Sequence, residues 1–193
     1  MGKVRIAGCD PGFANLALSV LDRFTIGGAD LLDVKLITTK KSTKKVKASD
    51  DEKRRLHEIE EEIISFLDEW RPDILAAEEP GRCLMKRGNQ WVPNPTLMRT
   101  SYLMWGSLSG ICRARGIYLV SFTAKEIKKG ICNKNSASKV EVEEAVRKMF
   151  PTFKRFPTTK KIEHVTDSVG AAVTAFKEPF VMGLLKTLET AAK

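Results

Sequence analysis

Long apolar runs are missing from this 193-residue sequence. A membrane-spanning helix needs about 20 consecutive apolar residues, so no span and no membrane partner are expected. The first residues, MGKVRIAGCD, lack the extended apolar segment of a secretory signal, which makes a soluble, intracellular protein the expectation. Cysteine is sparse: Cys9, Cys83, Cys112 and Cys132 stand singly, with no C-x-x-C pair, so neither a zinc site nor a disulfide framework is signalled. There is no internal repeat and no Pro/Gly/Ser-rich linker, which leaves one domain over residues 1–193. Negative charge is also short. Asp plus Glu number 24 against 33 Lys plus Arg, and the net charge of +9 favours a polyanionic partner such as nucleic acid or an anionic membrane surface, which charge alone does not separate.

What is present alternates between short apolar runs and amphipathic stretches. KVRIAGC (residues 3–9), ANLALSVL (14–21) and ADLLDVKLIT (29–38) are separated by turns at Pro11-Gly12 and Gly27-Gly28 and read as an antiparallel meander. A lysine-rich segment from 40 turns acidic and enters a helix whose Leu56, Ile59, Ile63, Leu67 and Trp70 share one face and which Pro72 ends. DILAAEE (73–79) fits a strand buried on both faces. Residues 81–95 read as a polar, basic loop, 96–115 as a helix, 117–122 as a fifth strand and 123–132 as a short helix. Ser138 and Glu141 have capping-box spacing at the start of a helix through Met149. A last long helix begins near Lys161 and is interrupted at Pro179. The order β-β-β-α-β-α-β-α predicts an α/β fold: a mixed five-stranded sheet, three antiparallel strands followed by parallel ones, with helices on both faces.

A right-handed crossover sets the fourth strand parallel to the first, so the strand-end carboxylates Asp10 and Glu78-Glu79 meet. Carboxylates that close repel unless a divalent cation lies between them, and Pro11-Gly12 leaves room beside Asp10 for a phosphate backbone. Successive strand residues point to opposite faces, so only one of Glu78 and Glu79 can face Asp10 and the other is a bystander. The helix at 162–176 offers a third ligand. Asp167 shares a face with His164, with Glu163 a competitor, and the small residues Gly170, Ala171, Ala172 and Ala175 let that helix approach the sheet. His57, amid charged residues, reads as solvated surface.

Taken in order, D-P-G (Asp10, Pro11, Gly12), A-x-E ending at Glu78 and H-x-x-D-S (His164, Asp167, Ser168) resemble the RuvC-type Holliday junction resolvases of the RNase H-like superfamily. The resemblance spans most of the chain. It implies an RNase H-like sheet and a homodimeric endonuclease that cuts branched DNA, above all four-way junctions. Asp10, Glu78, His164 and Asp167 would bind two Mg²⁺ or Mn²⁺ ions per active site, with no nucleotide cofactor. The basic run AKEIKKGICNKNSASKVEV points to Lys128 and Lys139 as phosphate contacts, with Lys139 placed to neutralise the reacting phosphate. Where such enzymes often carry a wedging aromatic, three residues after the strand carboxylate, this chain has Gly81. Trp91, beside Lys86 and Arg87, is the replacement candidate for base stacking. A bacterial or phage source would place the protein in the cytoplasm with the nucleoid, and an organellar one is also compatible. Competing expectations are an actin-like ATP-binding domain, disfavoured by the lack of a second Gly-rich phosphate loop, a non-catalytic junction binder, and a nuclease for other branched DNA or RNA–DNA hybrids.

Overall fold

The computed structural model describes residues 2–191. Strands β1 (Lys3–Asp10), β2 (Asn15–Phe24) and β3 (Ala29–Thr38) form the expected antiparallel meander, and β1 pairs in parallel with β4 (Ile74–Glu78). Strand β7 (Tyr118–Phe122) extends the sheet on the far side of β4, giving the order β3-β2-β1-β4-β7. Between β4 and the next helix the chain makes a small hairpin, β5 (Leu84–Arg87) and β6 (Gln90–Pro93). The sequence reading had a loop there. Its polar composition hid the pairing of Lys86 with Trp91 and Arg87 with Gln90 around a turn that carries Gly88 at φ +61°.

Two apolar layers sandwich the sheet. On one face Ala7, Cys9, Leu16, Leu18 and Val20 pack against α1 (Ala48–Trp70) and α2 (Pro95–Ala114). On the other, Val4, Ile6, Ala17 and Leu21 pack against α3 (Ala124–Cys132), α4 (Lys139–Met149), α5 (Ile162–Thr174) and α6 (Pro179–Ala191). Strand alternation fixes this division: Val4 and Ile6 belong to the second layer, Ala7 and Cys9 to the first. No single helix among the described residues is long and apolar enough to cross a membrane.

Local sequence sets the helix ends. Ser138 accepts from the Glu141 amide while Glu141 returns to the Ser138 amide, as the spacing predicted. Thr123 and Glu126 form a second such box at the start of α3, which the sequence reading passed over although T-A-K-E has the required form. Helix α1 starts at Ala48, inside the segment read as basic lead-in, and ends at Arg71, which takes the left-handed conformation just before Pro72. The four cysteines are free thiols, Cys9 and Cys112 being buried.

Candidate active site

Asp10 and Glu78 each close a strand, and parity decides where they point. Positions 4, 6, 8 and 10 of β1 share a face, as do 74, 76 and 78 of β4, so both carboxylates open toward the α3–α6 layer. Parallel pairing of Cys9 with Ala77 sets the two strand ends side by side. Glu79, of opposite parity, instead accepts from Ser121 Oγ at 2.8 Å, the bystander role expected of it.

Helix α5 crosses this face at very short range. A β-carbon built on Gly8 would stand 1.9 Å from the Ser168 carbonyl oxygen, so only glycine lets the helix lie on β1. The sequence reading credited this approach to small residues on the helix. Gly170 does not serve it: an added methyl there would meet Ile127 and Ile131 of α3, and the intimate contact with the sheet depends on Gly8. Ser168 and Ala171 are fully buried beneath the helix. The result places His164 and Asp167 above the ends of β1 and β4.

These groups line a cavity of about 310 Å³ with Ala124, Ile127, Lys128, Lys139, Val142 and Glu163. A roomier groove of about 660 Å³ between α3 and α4 brings together Glu141 and Glu144 with Lys134 and Lys148 around an apolar floor, without the converging carboxylates. His164 Nδ1 donates to Asp10 Oδ2 at 2.6 Å, and the other ring nitrogen lies 3.9 Å from Glu163 Oε1. Lys139, in the first turn of α4, is ion-paired with Glu163. Lys139 and Glu163 thereby join His164 and Asp10 in one chain of charges across the cavity.

Burial drives the titration of the acids. Desolvation, followed by the charges of Asp10 and Asp167, pushes the Glu78 carboxyl up to about 7, with Lys128 and His164 opposing. Desolvation and Asp10 push Asp167 up to about 6. The hydrogen bond that His164 donates to Asp10 raises the His164 pKa, and Lys139 holds Glu163 below the usual carboxylate range. Glu78 and Asp167 thus resist ionising in this crowded acidic pocket, and the Lys139 cation is already committed to Glu163.

A divalent cation is the countercharge such an oxygen-rich cluster lacks, and hard ions take carboxylate oxygens. The fit is in the donor chemistry. With Asp10 Oδ2 engaged by His164, no three His, Cys, Asp or Glu side chains among the described residues already enclose an ion, so ligation requires side-chain adjustment.

Of the residues anticipated from sequence, Asp10, Glu78, His164, Asp167, Lys128 and Lys139 line this one cavity. Lys86, Arg87 and Trp91 stand apart from it on the β5–β6 hairpin, where all three are exposed and Trp91 is 67% so. Glu163 lines the cavity too, as the partner of Lys139. His57 is exposed on α1 beside Glu61. Two supports escaped the sequence reading: Gly8, which looked like a plain strand residue, and Arg55, which stacks 4.6 Å over the Phe13 ring and donates to the Phe13 carbonyl just after D-P-G.

Residues 6–175 match the family of crossover junction endodeoxyribonuclease RuvC. The chain belongs to that family. It is 27% identical over 180 residues to RuvC of Thermomicrobium roseum, covering 90% of this chain and 93% of that one. The structure of Thermus thermophilus RuvC superposes with a TM-score of 0.70 at 24% identity, covering 94% of this chain and 98% of that one. The same protein in complex with a Holliday junction substrate gives 0.71 at 23% identity, covering 94% and 97%. The yeast mitochondrial Holliday junction resolvase gives 0.62 at 12% identity, covering 95% and 81%. These likenesses establish the RuvC fold and the RNase H-like sheet. Membership makes this chain a Holliday junction resolving endonuclease and sets aside the actin-like alternative. RuvC enzymes generally depend on a divalent metal.

Proposed function

We propose that this chain cuts four-way DNA junctions by symmetric paired phosphodiester hydrolysis, with Asp10, Glu78, His164 and Asp167 as its ligand and catalytic set. The observation that carries this reading is the convergence of those four side chains, from three separate elements, on one cavity flanked by Lys128 and Lys139.

Asp10, Glu78 and Asp167 would hold two Mg²⁺ or Mn²⁺ ions, with His164 a further ligand better suited to Mn²⁺. Bound there, the metal supplies a water of lowered pKa and stabilises the charge on the departing 3′ oxygen. The protein side of the reaction follows from placement. The tight turn Pro11-Gly12 follows Asp10 directly: the Gly12 amide closes on the Asp10 carbonyl at 3.0 Å, and a β-carbon on Gly12 would run into the Asn15 carbonyl oxygen, so glycine lets the chain fold back tightly beside the site. Lys128 and Lys139 set positive charge along the cavity, where a phosphate acquires negative charge as water adds. As the alternative to ligation, His164, joined to Asp10 through Nδ1, would orient the attacking water with its other ring nitrogen. On the hairpin, Trp91 offers a free aromatic face for a splayed base, with Lys86 opposite it and Arg87 next along the strand for the backbone.

Two opposed cuts require two sites, which a two-fold homodimer supplies. The exposed Leu97, Tyr102 and Leu103 of α2 are apolar surface suited to that contact. Incubation with a mobile four-way junction in Mg²⁺ or Mn²⁺ tests the reading. Paired nicks at opposed positions are expected from wild type, and junction binding without nicks from Asp10→Asn. Preferential cutting of RNA–DNA hybrids or flaps would overturn the substrate assignment.

A further inference from the structure

Five lysines, Lys40, Lys41, Lys44, Lys45 and Lys47, occupy eight residues between β3 and α1, and every one is exposed. No ion pair engages any of them among the described residues. The segment nevertheless has a fixed root. Thr39 donates its amide to the Ala14 carbonyl at 3.1 Å and its hydroxyl to the Phe13 carbonyl at 2.8 Å. Arg55 of α1 donates to both Thr39 Oγ1 and the Phe13 carbonyl. Ser42 donates its amide to Asp51 at 3.0 Å. The run is therefore tied to the chain that leaves the D-P-G turn, at the same end of the sheet as Asp10. Lys161, three residues before His164, bridges the remaining gap by donating to Thr38 at 3.3 Å.

The electrostatics are unfavourable as they stand. The run leads straight into the positive end of a 23-residue helix, and Lys47 occupies the N-cap position with no side-chain hydrogen bond, where Ser, Thr, Asp or Asn would satisfy the amides. Asp50 and Asp51 offset part of this, but Asp51 is already taken by Arg54 and the Ser42 amide. Five like charges set against a helix N-terminus lower their free energy together when one polyanion covers them all.

We propose that the Lys40–Lys47 segment is a second phosphate-binding surface, which holds the backbone of a junction arm as it leaves the active site on the side away from Lys128 and Lys139. This rests on the DNA-binding reading above. A duplex backbone is the occupant that fits: it presents regularly spaced single charges, and it must pass the D-P-G turn to which the run is tied.

Counterion release gives a direct measurement, since each neutralised phosphate contributes about 0.9 to the slope of log affinity against log salt. Binding of a four-way junction and of linear duplex is measured without divalent metal, for wild type and for K41Q/K44Q/K45Q. A matched control, K148Q/K177Q/K186Q, removes the same charge from exposed positions on α4, the turn after α5 and α6, away from the strand ends that carry Asp10 and Glu78. The slope should fall by roughly 2 to 3 in the loop variant and by less than about 1 in the control, with thermal unfolding of the loop variant unchanged or raised. Equal slopes in loop variant and wild type, or equal losses in both variants, would overturn the proposal. Because the readout is binding, it stays separable from the cleavage test: a wild type that fails to cut junctions sinks the nuclease reading and leaves the slopes to be judged alone.

Discussion

His164 Nδ1 lies 2.6 Å from Asp10 Oδ2, a contact between residues 154 positions apart that locks helix α5 to the end of β1. Only two histidines exist in the chain, and His57 is exposed on α1. Histidine NMR titration can therefore follow His164 with a built-in second resonance. The Asp10 hydrogen bond raises the His164 pKa, so Asp10→Asn should move its midpoint downward and leave that of His57 where it is. A His164 midpoint that does not fall in the variant would show that the pair does not form in solution.

Metal should matter more to stability as pH rises. Glu78 titrates near 7 and Asp167 near 6, both above their ordinary values, so the folded state holds these protons more tightly than the unfolded chain. His164, also raised, contributes stability that is complete below its unfolded pKa and fades as pH climbs through the folded value. The metal-free protein thus loses stability from about pH 4 upward, through Asp167 until about 6 and Glu78 until about 7, with His164 adding its loss above its ordinary range. The expected outcome is a metal-free Tm that declines over this range by about 3–6 °C, a flatter profile in Glu78→Gln, and a larger rise on adding Mg²⁺ or Mn²⁺ at pH 8 than at pH 5.5. A metal-induced rise independent of pH would exclude these carboxyls as its origin.

Gly8→Ala should be far more damaging than a one-carbon change in a strand normally is. The new methyl would overlap the Ser168 carbonyl oxygen, and backbone cannot rotate aside as a side chain can. Overpacking of this kind costs about 3 kcal/mol, and α5 must lift, carrying His164 and Asp167 away from Asp10. Denaturant unfolding should report the stability loss, and cleavage under conditions where the variant is fully folded should still fall. Wild-type cleavage by folded Gly8→Ala would show that the site tolerates a displaced helix.

Glu163 and Glu78 make contrasting claims on the chemistry. Glu78 sits among the carboxylates, whereas Glu163 is occupied by Lys139. Glu78→Gln should lower kcat by about 10³-fold or more, as loss of several kcal/mol of metal-mediated stabilisation implies. Lys139→Ala should cost about 10²-fold, in kcat more than in KM. Glu163→Gln should stay within about tenfold of wild type, since one surface-edge ion pair contributes little. Single-turnover cleavage separates the three, and a Glu163→Gln loss as large as that of Glu78→Gln would reassign the ligand set.

The amino-acid order alone determined the five-strand sheet, that only one of Glu78 and Glu79 can face Asp10, and the three motifs that meet at the cavity, because strand period, helix period and the handedness of crossovers are local or nearly local rules. It also marked the Ser138–Glu141 cap that starts α4 at Lys139. Tertiary structure decided the rest. Gly8 reads like any strand residue until a helix 160 positions later lies on it; the hairpin around Gly88 is hidden by polar composition; Glu163 became the partner of Lys139 only once α4 and α5 packed. Pairings between distant side chains depend on which elements share a face and how closely they approach, and no spacing within one segment encodes that distance.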